Sequence, residues 1–439
     1  MALSVIIAGI TVLLMVTTVL VKPFIKVGSH KIGLYWVVCL IGALTLILTG
    51  EISFSSVILG ITAKSSVNPL KILTLFLSMT LLSVYLGDAG FFDFIADKIF
   101  LRTKGGKIKL FLSLYAVVSI LTVFTSNDVI ILTFTPTICI FARKAKISPL
   151  PFLLGEFVAT NTWSMTLIVG NPTNVYLAQS AGITFAEYLS VMILPAITGG
   201  IVGLGMILLI FRKDLFSPIT HVSHGLMITS PTTHAKIVKT PMFVAIAHLV
   251  VCIVLLAISD FIGVEMWLIC LFLALSLTVF DLIYDLAVVK SLKPIWRSIK
   301  KEPYDLIPFV LSMFVIVLAL KECGLIDILN GLLVTGKNSD GLSFGILSAL
   351  SANLLNNIPM SVMFESIIAS ESIPAVYGAV IGSNVGAFIS PVGALAGIMW
   401  SKILGDYGVK FPFAKFVLYG SAVALPTLLA SSGVLLLVL

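Results

Sequence analysis

Ser126-Asn127-Asp128 sets three polar residues inside the apolar run 110–141, and the next apolar run is broken by Gly170-Asn171-Pro172-Thr173-Asn174. The second half of the chain repeats the arrangement, with Asn356-Asn357-Ile358-Pro359 first and Ser390-Pro391-Val392-Gly393 after it. Backbone that leaves a helix at membrane depth frees N–H and C=O groups that lipid cannot satisfy, at a cost of several kcal/mol each. Such breaks must line a cavity or lie buried in protein. A matching pair in each half is the pattern of a secondary transporter built from internal repeats, with its binding site at the breaks.

Composition fixes the broad class. The 439 residues are 59% hydrophobic and 11% charged, with a mean hydropathy of +1.15, so most of the length belongs in a bilayer. The first apolar segment, 4–21, lacks the basic start and small-residue cleavage pattern of a signal peptide and reads as a retained helix. Cys39, Cys139, Cys252, Cys270 and Cys323 are scattered through apolar segments without close pairs, which predicts small core residues and neither disulfides nor a zinc cluster.

A crossing needs about 20 apolar residues. On that measure helices fall near 4–21, 32–49, 70–87, 150–182 (broken), 186–211, 241–258, 263–280, 304–320, 374–404 (broken) and 411–436. Segments 108–125 with 129–142, and 341–354 with 358–370, read as helical hairpins that enter and leave on one side. The expectation is an all-α polytopic membrane protein of the cell membrane, an inverted-repeat transporter with ten crossings, two re-entrant helical hairpins and two broken helices. With both termini outside, only Lys64, Lys71, Lys321 and Lys337 of the 27 Lys and Arg face outward, as the inward bias of basic loops requires. Topology thus accounts for the net charge of +7 without nucleic acid as a partner.

The same assignment divides the chain into 1–69, N-terminal scaffold helices; 70–211, a first repeat; 212–303, linker loops and a scaffold helix pair; and 304–439, a second repeat. Each repeat reads helix, amphipathic connector, hairpin, broken helix, helix, and the two start on opposite sides. His221, His224 and His234 in the linker lack a Cys or carboxylate cluster and read as a solvated loop, with no metal site expected.

Asparagine offers both donor and acceptor, and a hairpin tip exposes helix-end N–H and C=O groups around it. Ser126, Asn127, Asn356 and Asn357 at the tips therefore suit a small polar solute or a partly dehydrated ion, as do Asn171, Thr173, Asn174, Ser383, Asn384, Ser390 and Gly393 at the breaks. Asp128, ionisable at membrane depth, is a candidate for proton or cation coupling; it also suits capping of the helix that follows. Glu156 is either a second titrating group or an interfacial carboxylate. Trp163 and Trp400 read as packing groups or interface anchors, and Asp88, Asp93 and Asp97 as interfacial charges.

At these motifs the chain resembles the ion transporter superfamily, in particular its ArsB arsenite permease and NhaD sodium/proton antiporter branch. Ser126-Asn127-Asp128 followed by Leu132-Thr133-Phe134-Thr135-Pro136 is similar to the first ArsB signature. Ile381-Gly382-Ser383-Asn384-Val385-Gly386 through Ser390-Pro391-Val392-Gly393-Ala394-Leu395-Ala396, with Trp400, is similar to the second. Gly170-Asn171-Pro172-Thr173-Asn174 takes the general superfamily form, shared with the NhaD and divalent anion:sodium symporter branches. The resemblance covers about 70–436. It implies scaffold and transport domains, an elevator-like displacement of hairpins and broken helices, and, in ArsB relatives, proton-driven extrusion of arsenite and antimonite, with a soluble ATPase partner in some.

Three functions fit these residues to different degrees. Efflux of a neutral hydroxylated metalloid suits Asn- and Ser-rich breaks with one carboxylate, and a sodium/proton antiporter fits almost as well. Sodium-coupled carboxylate import fits least, because no Arg or Lys lies at either break and Asp128 would repel the anion. An intramembrane enzyme finds no support, since no His-Glu-x-x-His pattern occurs. The expected partners are a small inorganic solute, a coupling proton or sodium in place of any cofactor, the lipid bilayer, a second copy in a homodimer, and the ATPase.

Overall fold

The computed structural model describes residues 2–22, 24–27, 30–62, 68–102, 106–217, 238–368 and 372–439. The three histidines of the linker and the end of the second expected hairpin, 369–370, lie outside these. Seven of the described helices are long and apolar enough to cross a membrane, or eight if Leu306–Glu322 and Leu325–Leu333, bent by 82°, form one span. Ten crossings were expected, and the difference lies in segments built from shorter pieces. Leu34–Leu48 has 15 residues. The two broken segments divide into Leu150–Trp163 with Pro172–Ser180, and Ile373–Gly386 with Leu395–Asp406. Outward-facing side chains on the long helices are large and apolar, among them Leu13, Ile120, Ile201, Leu209 and Phe272, the surface that hydrocarbon requires.

Two departures from expectation are local. Phe24–Val27 pairs with His30–Gly33 as a short antiparallel hairpin, because Ile25, Val27 and Ile32 alternate with Lys26, Lys31 and Gly33, a two-residue period that a short connector can satisfy as strand. Lys107–Phe124, expected as an arm too short to cross, has 18 residues and the hydropathy of a span. Its interruption is marked by its end, where Thr125 and Ser126 turn to extended backbone (ψ −171° and 150°) before Asn127–Ala145 begins.

Pro69–Asp88 opens the first of two similar stretches and packs against helices of the segment that follows it. Asn68 caps it by accepting from the backbone N–H groups of Leu70 and Lys71, and Lys239–Ala257 and Met266–Tyr284 pack against it. Lys71 pairs with Glu265 at its start; at its end Asp88 accepts from Arg297 and Lys301. Leu34–Leu48 packs between Ala2–Val21 and Leu306–Glu322.

From Pro69 to Ile210 the chain runs helix, short helix Phe91–Arg102, interrupted pair, broken helix, long helix; from Leu306 to Val438 it runs the same order. The contacts between the two stretches are exchanged. Asn127–Ala145 of the first interrupted pair lies on Leu395–Asp406, while Asn357–Ile368 of the second lies on Pro172–Ser180. Phe185–Ile210 and Phe413–Val438 pack on each other. Backbones also approach closely between Asp340–Leu355 and Ile373–Gly386, where a Cβ on Gly378 would fall 2.0 Å from the Gly341 carbonyl oxygen and one on Gly382 2.1 Å from that of Gly345, the close approach that small residues permit between membrane helices.

Candidate functional site

The first tip is set by its capping. Ser126 Oγ accepts from the N–H of Val129 (3.4 Å) and Asn127 Oδ1 from the N–H of Asp128 (2.9 Å), so Asp128 follows the cap and does not serve as it. Asn127 Nδ2 donates to Asn161 Oδ1 at 3.4 Å, which ties the tip to the first broken helix. Ser126, Asn127 and Asp128 are all buried. No ion pair among the described residues reaches Asp128 or Glu156.

Beyond Trp163 the helix tightens into two short 3₁₀ turns, Ser164–Thr166 and Ile168–Gly170, separated by extended Leu167. Asn171 then restarts a helix by accepting from the N–H of Thr173, with Pro172 at the first turn, where its missing N–H costs nothing. Gly170 is forced: a Cβ there would lie 2.2 Å from the carbonyl oxygen of Ser164.

Asn384, from the second broken helix, is the hub that joins the halves. Its Oδ1 accepts from Ser164 Oγ (2.9 Å) and Asn171 Nδ2 (3.0 Å), and its Nδ2 donates to Asn174 Oδ1 (2.7 Å). Ser383 Oγ lies 3.1 Å from Thr173 Oγ1. Asn174 Nδ2 in turn donates to the carbonyls of Ser164 and Leu167. Each of the polar residues whose side chains form it is at most 1% exposed, and buried amides in such a ring stabilise only while each partner is present.

The second tip docks on the second break. Asn356 has φ 74° and ψ 153°, a backbone region that favours glycine, and it is held there by its Nδ2 donating to the Val392 carbonyl (3.0 Å). The N–H of Asn357 donates to the Gly393 carbonyl (3.1 Å), while Asn357 Oδ1 is buried without a partner. Ser390 Oγ donates to Asn353 Oδ1 (2.6 Å), and Asn353 Nδ2 to the Gly386 carbonyl (2.8 Å). Asn353 was not singled out from the sequence, although it precedes Asn356 by three residues, one helical turn on the same face.

Glu156 is buried in the protein. It is 1% exposed, and Thr135 Oγ1, from the helix after the first tip, lies 2.9 Å and 3.0 Å from its two carboxyl oxygens. Its neighbour Phe157 packs on Trp400 at 5.1 Å with the rings tilted, and Trp400 also packs on Phe411 and Phe416. A cavity of about 610 Å³ runs between Pro69–Asp88 and the helix after the first tip. Ser83, Gly87 and Asp88 line one wall, Val129, Thr133 and Thr137 the other. Arg297 and Lys301 also border it, both bonded to Asp88.

The sequence has relatives. Residues 12–375 match a family described as citrate transporter. An arsenical pump membrane protein of Escherichia coli is 26% identical over 378 residues, covering 82% of this chain and 85% of that protein. A putative arsenical pump membrane protein of Bacillus subtilis is 24% identical over 402 residues, covering 86% and 88%. Among solved structures, the YdaH transporter of Alcanivorax borkumensis has a TM-score of 0.56 at 12% identity, covering 99% of this chain and 97% of that one. MtrF of Neisseria gonorrhoeae, a protein that illuminates a class of antimetabolite efflux pumps, has 0.57 at 14%, covering 99% and 94%. At these identities the solved structures speak for the fold alone.

Proposed function

The chain belongs to the citrate transporter family, and from its membership in that family of secondary membrane transporters we propose that this protein exports trivalent arsenic and antimony as their neutral hydroxides, driven by the proton gradient. One observation carries the reading: the hub around Asn384 is made of amides, hydroxyls and backbone carbonyls, with no cationic side chain among its bonded members. An uncharged trihydroxide needs donors and acceptors more than counter-charge, and amides supply both. A citrate trianion would need Arg or Lys, and Arg297 and Lys301 are already engaged by Asp88. A sodium ion would need free carbonyls, and those of Ser164 and Leu167 are occupied by Asn174. The names of the arsenical pump relatives point the same way.

In this reading Asp128 and Glu156 carry the coupling protons. A carboxylate without a counter-cation is costly in a low-dielectric interior, and a proton removes the charge. The two repeats are inverted, the tips are re-entrant, and hairpins with broken helices move as a body against the scaffold around Pro69–Asp88. Everted membrane vesicles energised with a proton gradient test the reading. Arsenite and antimonite should accumulate and citrate and sodium should not; gradient-driven accumulation of citrate or sodium without arsenite would overturn it.

A further inference from the structure

Cys252 and Cys270 are 18 residues apart on successive helices, yet their Sγ atoms lie 3.8 Å from each other, and Met79 Sδ lies 3.6 Å from Cys252 Sγ. The expectation of cysteines without close pairs therefore does not hold in space. Three helices packed on one another, Pro69–Asp88, Lys239–Ala257 and Met266–Tyr284, each supply one sulfur. Both cysteines are fully buried and Met79 is 3% exposed. None of the three belongs to the tips, the breaks or the Asn384 hub.

The spacing distinguishes two uses of such a pair. A disulfide requires about 2.05 Å between sulfurs, so the pair would have to close by nearly half. A single pyramidal trivalent centre about 2.3 Å from each of two sulfurs, with bond angles near about 100°, holds them about 3.5 Å apart, so the pair, at 3.8 Å, would need to close only slightly. Soft sulfur donors select soft acceptors. Charge narrows the acceptor further, because an isolated ion entering this apolar interior must shed its hydration, whereas a neutral trihydroxide of arsenic or antimony brings no charge with it.

We propose that Cys252 and Cys270, with the Met79 thioether beside them, form a dithiol site that captures trivalent arsenic or antimony within the scaffold, off the transport path. In the capture each S–H bond breaks and an S–As bond forms, while each displaced hydroxyl leaves arsenic with the thiol proton as water. Two waters depart and one hydroxyl stays. Arsenic remains trivalent, nothing is oxidised or reduced, and the complex is neutral. The bridge ties Lys239–Ala257 to Met266–Tyr284 beside Pro69–Asp88, so occupancy clamps the part of the protein that stays still.

The site shares with the proposed function only the class of solute, and it is read without a gradient. Purified full-length protein is incubated with sodium arsenite, passed through a desalting column, and assayed for retained arsenic and for a rise in Tm. A C39A/C139A/C323A variant, which keeps the pair, should retain arsenic stoichiometrically and show the rise; C252A and C270A should lose both, and M79L should retain less. No retained arsenic in the variant that keeps the pair, or undiminished arsenic in folded C252A and C270A, overturns the proposal. Capture without transport in vesicles would overturn only the export reading, and transport without capture only this one.

Discussion

Asn384 Nδ2 donates to Asn174 Oδ1 at 2.7 Å across 210 residues of chain, so the two broken helices are joined side chain to side chain at the point where each has left regular helix or is about to. Asn384 reaches Ser164 and Asn171 through its other amide atom. Each half thus completes the other's break.

Replacing Asn384 with Ala strands Asn171 Nδ2 and leaves Asn174 Oδ1 with only a 3.5 Å contact to Thr173, while Ser164 keeps the Asn161 carbonyl, at about 1–3 kcal/mol for each group stranded. The expected result is a lower Tm in detergent and loss of arsenite accumulation in vesicles. Asp at this position keeps the acceptor and loses the donor to Asn174, so its Tm should fall between those of the wild type and the Ala variant. An Ala variant with wild-type Tm and uptake would show that the hub is inert.

Asp128→Asn keeps the shape of the side chain and removes its capacity to hold and release a proton. Gradient-driven uptake should drop to background while the protein folds with near-normal Tm, because Ser126 and Asn127 do the capping. Persisting gradient dependence would assign coupling elsewhere, with Glu156 next to be tested as Gln.

Gly170→Ala places a methyl 2.2 Å from the Ser164 carbonyl oxygen, and a backbone neighbour cannot swing aside as a side-chain end can. Overpacking of this kind costs about 1–3 kcal/mol. The loss should appear as a lower Tm together with weaker substrate retention, since Ser164 also donates to Asn384.

Glu302, in the connector before Leu306–Glu322, is buried with neither carboxyl oxygen bonded. Burial pushes its carboxyl up to about 8. An acid raised on folding is more favourable protonated, so its contribution to stability is present below about 4.5, falls as the pH rises, and is lost above about 8. Glu302→Gln should match the wild type in Tm near pH 4 and exceed it near pH 8, a gain of a few kcal/mol. Equal Tm values at both pH values would show the carboxyl to be hydrated.

The breaks were legible because Asn, Asp, Pro and Gly stand out against apolar sequence, and polar residues at membrane depth have few structural uses. That made Asn127, Asn171, Asn174, Asn357 and Asn384 nameable before any coordinates. Their pairing was not legible, since nothing along the chain says that Asn384 faces Asn174 when Ser383 and Asn384 occupy successive positions. The depth of Glu156 depends on where its helix enters the core, and only Thr135 and the Trp400 cluster fix that. Cys252 and Cys270 sit on two helices whose hydrophobicity is nearly uniform around the axis, so their sequence gave no face to prefer.

The exchanged packing of the two halves also bears on how the protein is made. Asn357–Ile368 covers Pro172–Ser180, and the amides of Asn171 and Asn174 meet Asn384 only after more than two hundred further residues have been synthesised. Until then the first break enters the membrane with polar groups that have no partner. The ribosome-bound half chain is therefore an obligate intermediate with an open polar seam, and its survival depends on whatever shields that seam during insertion.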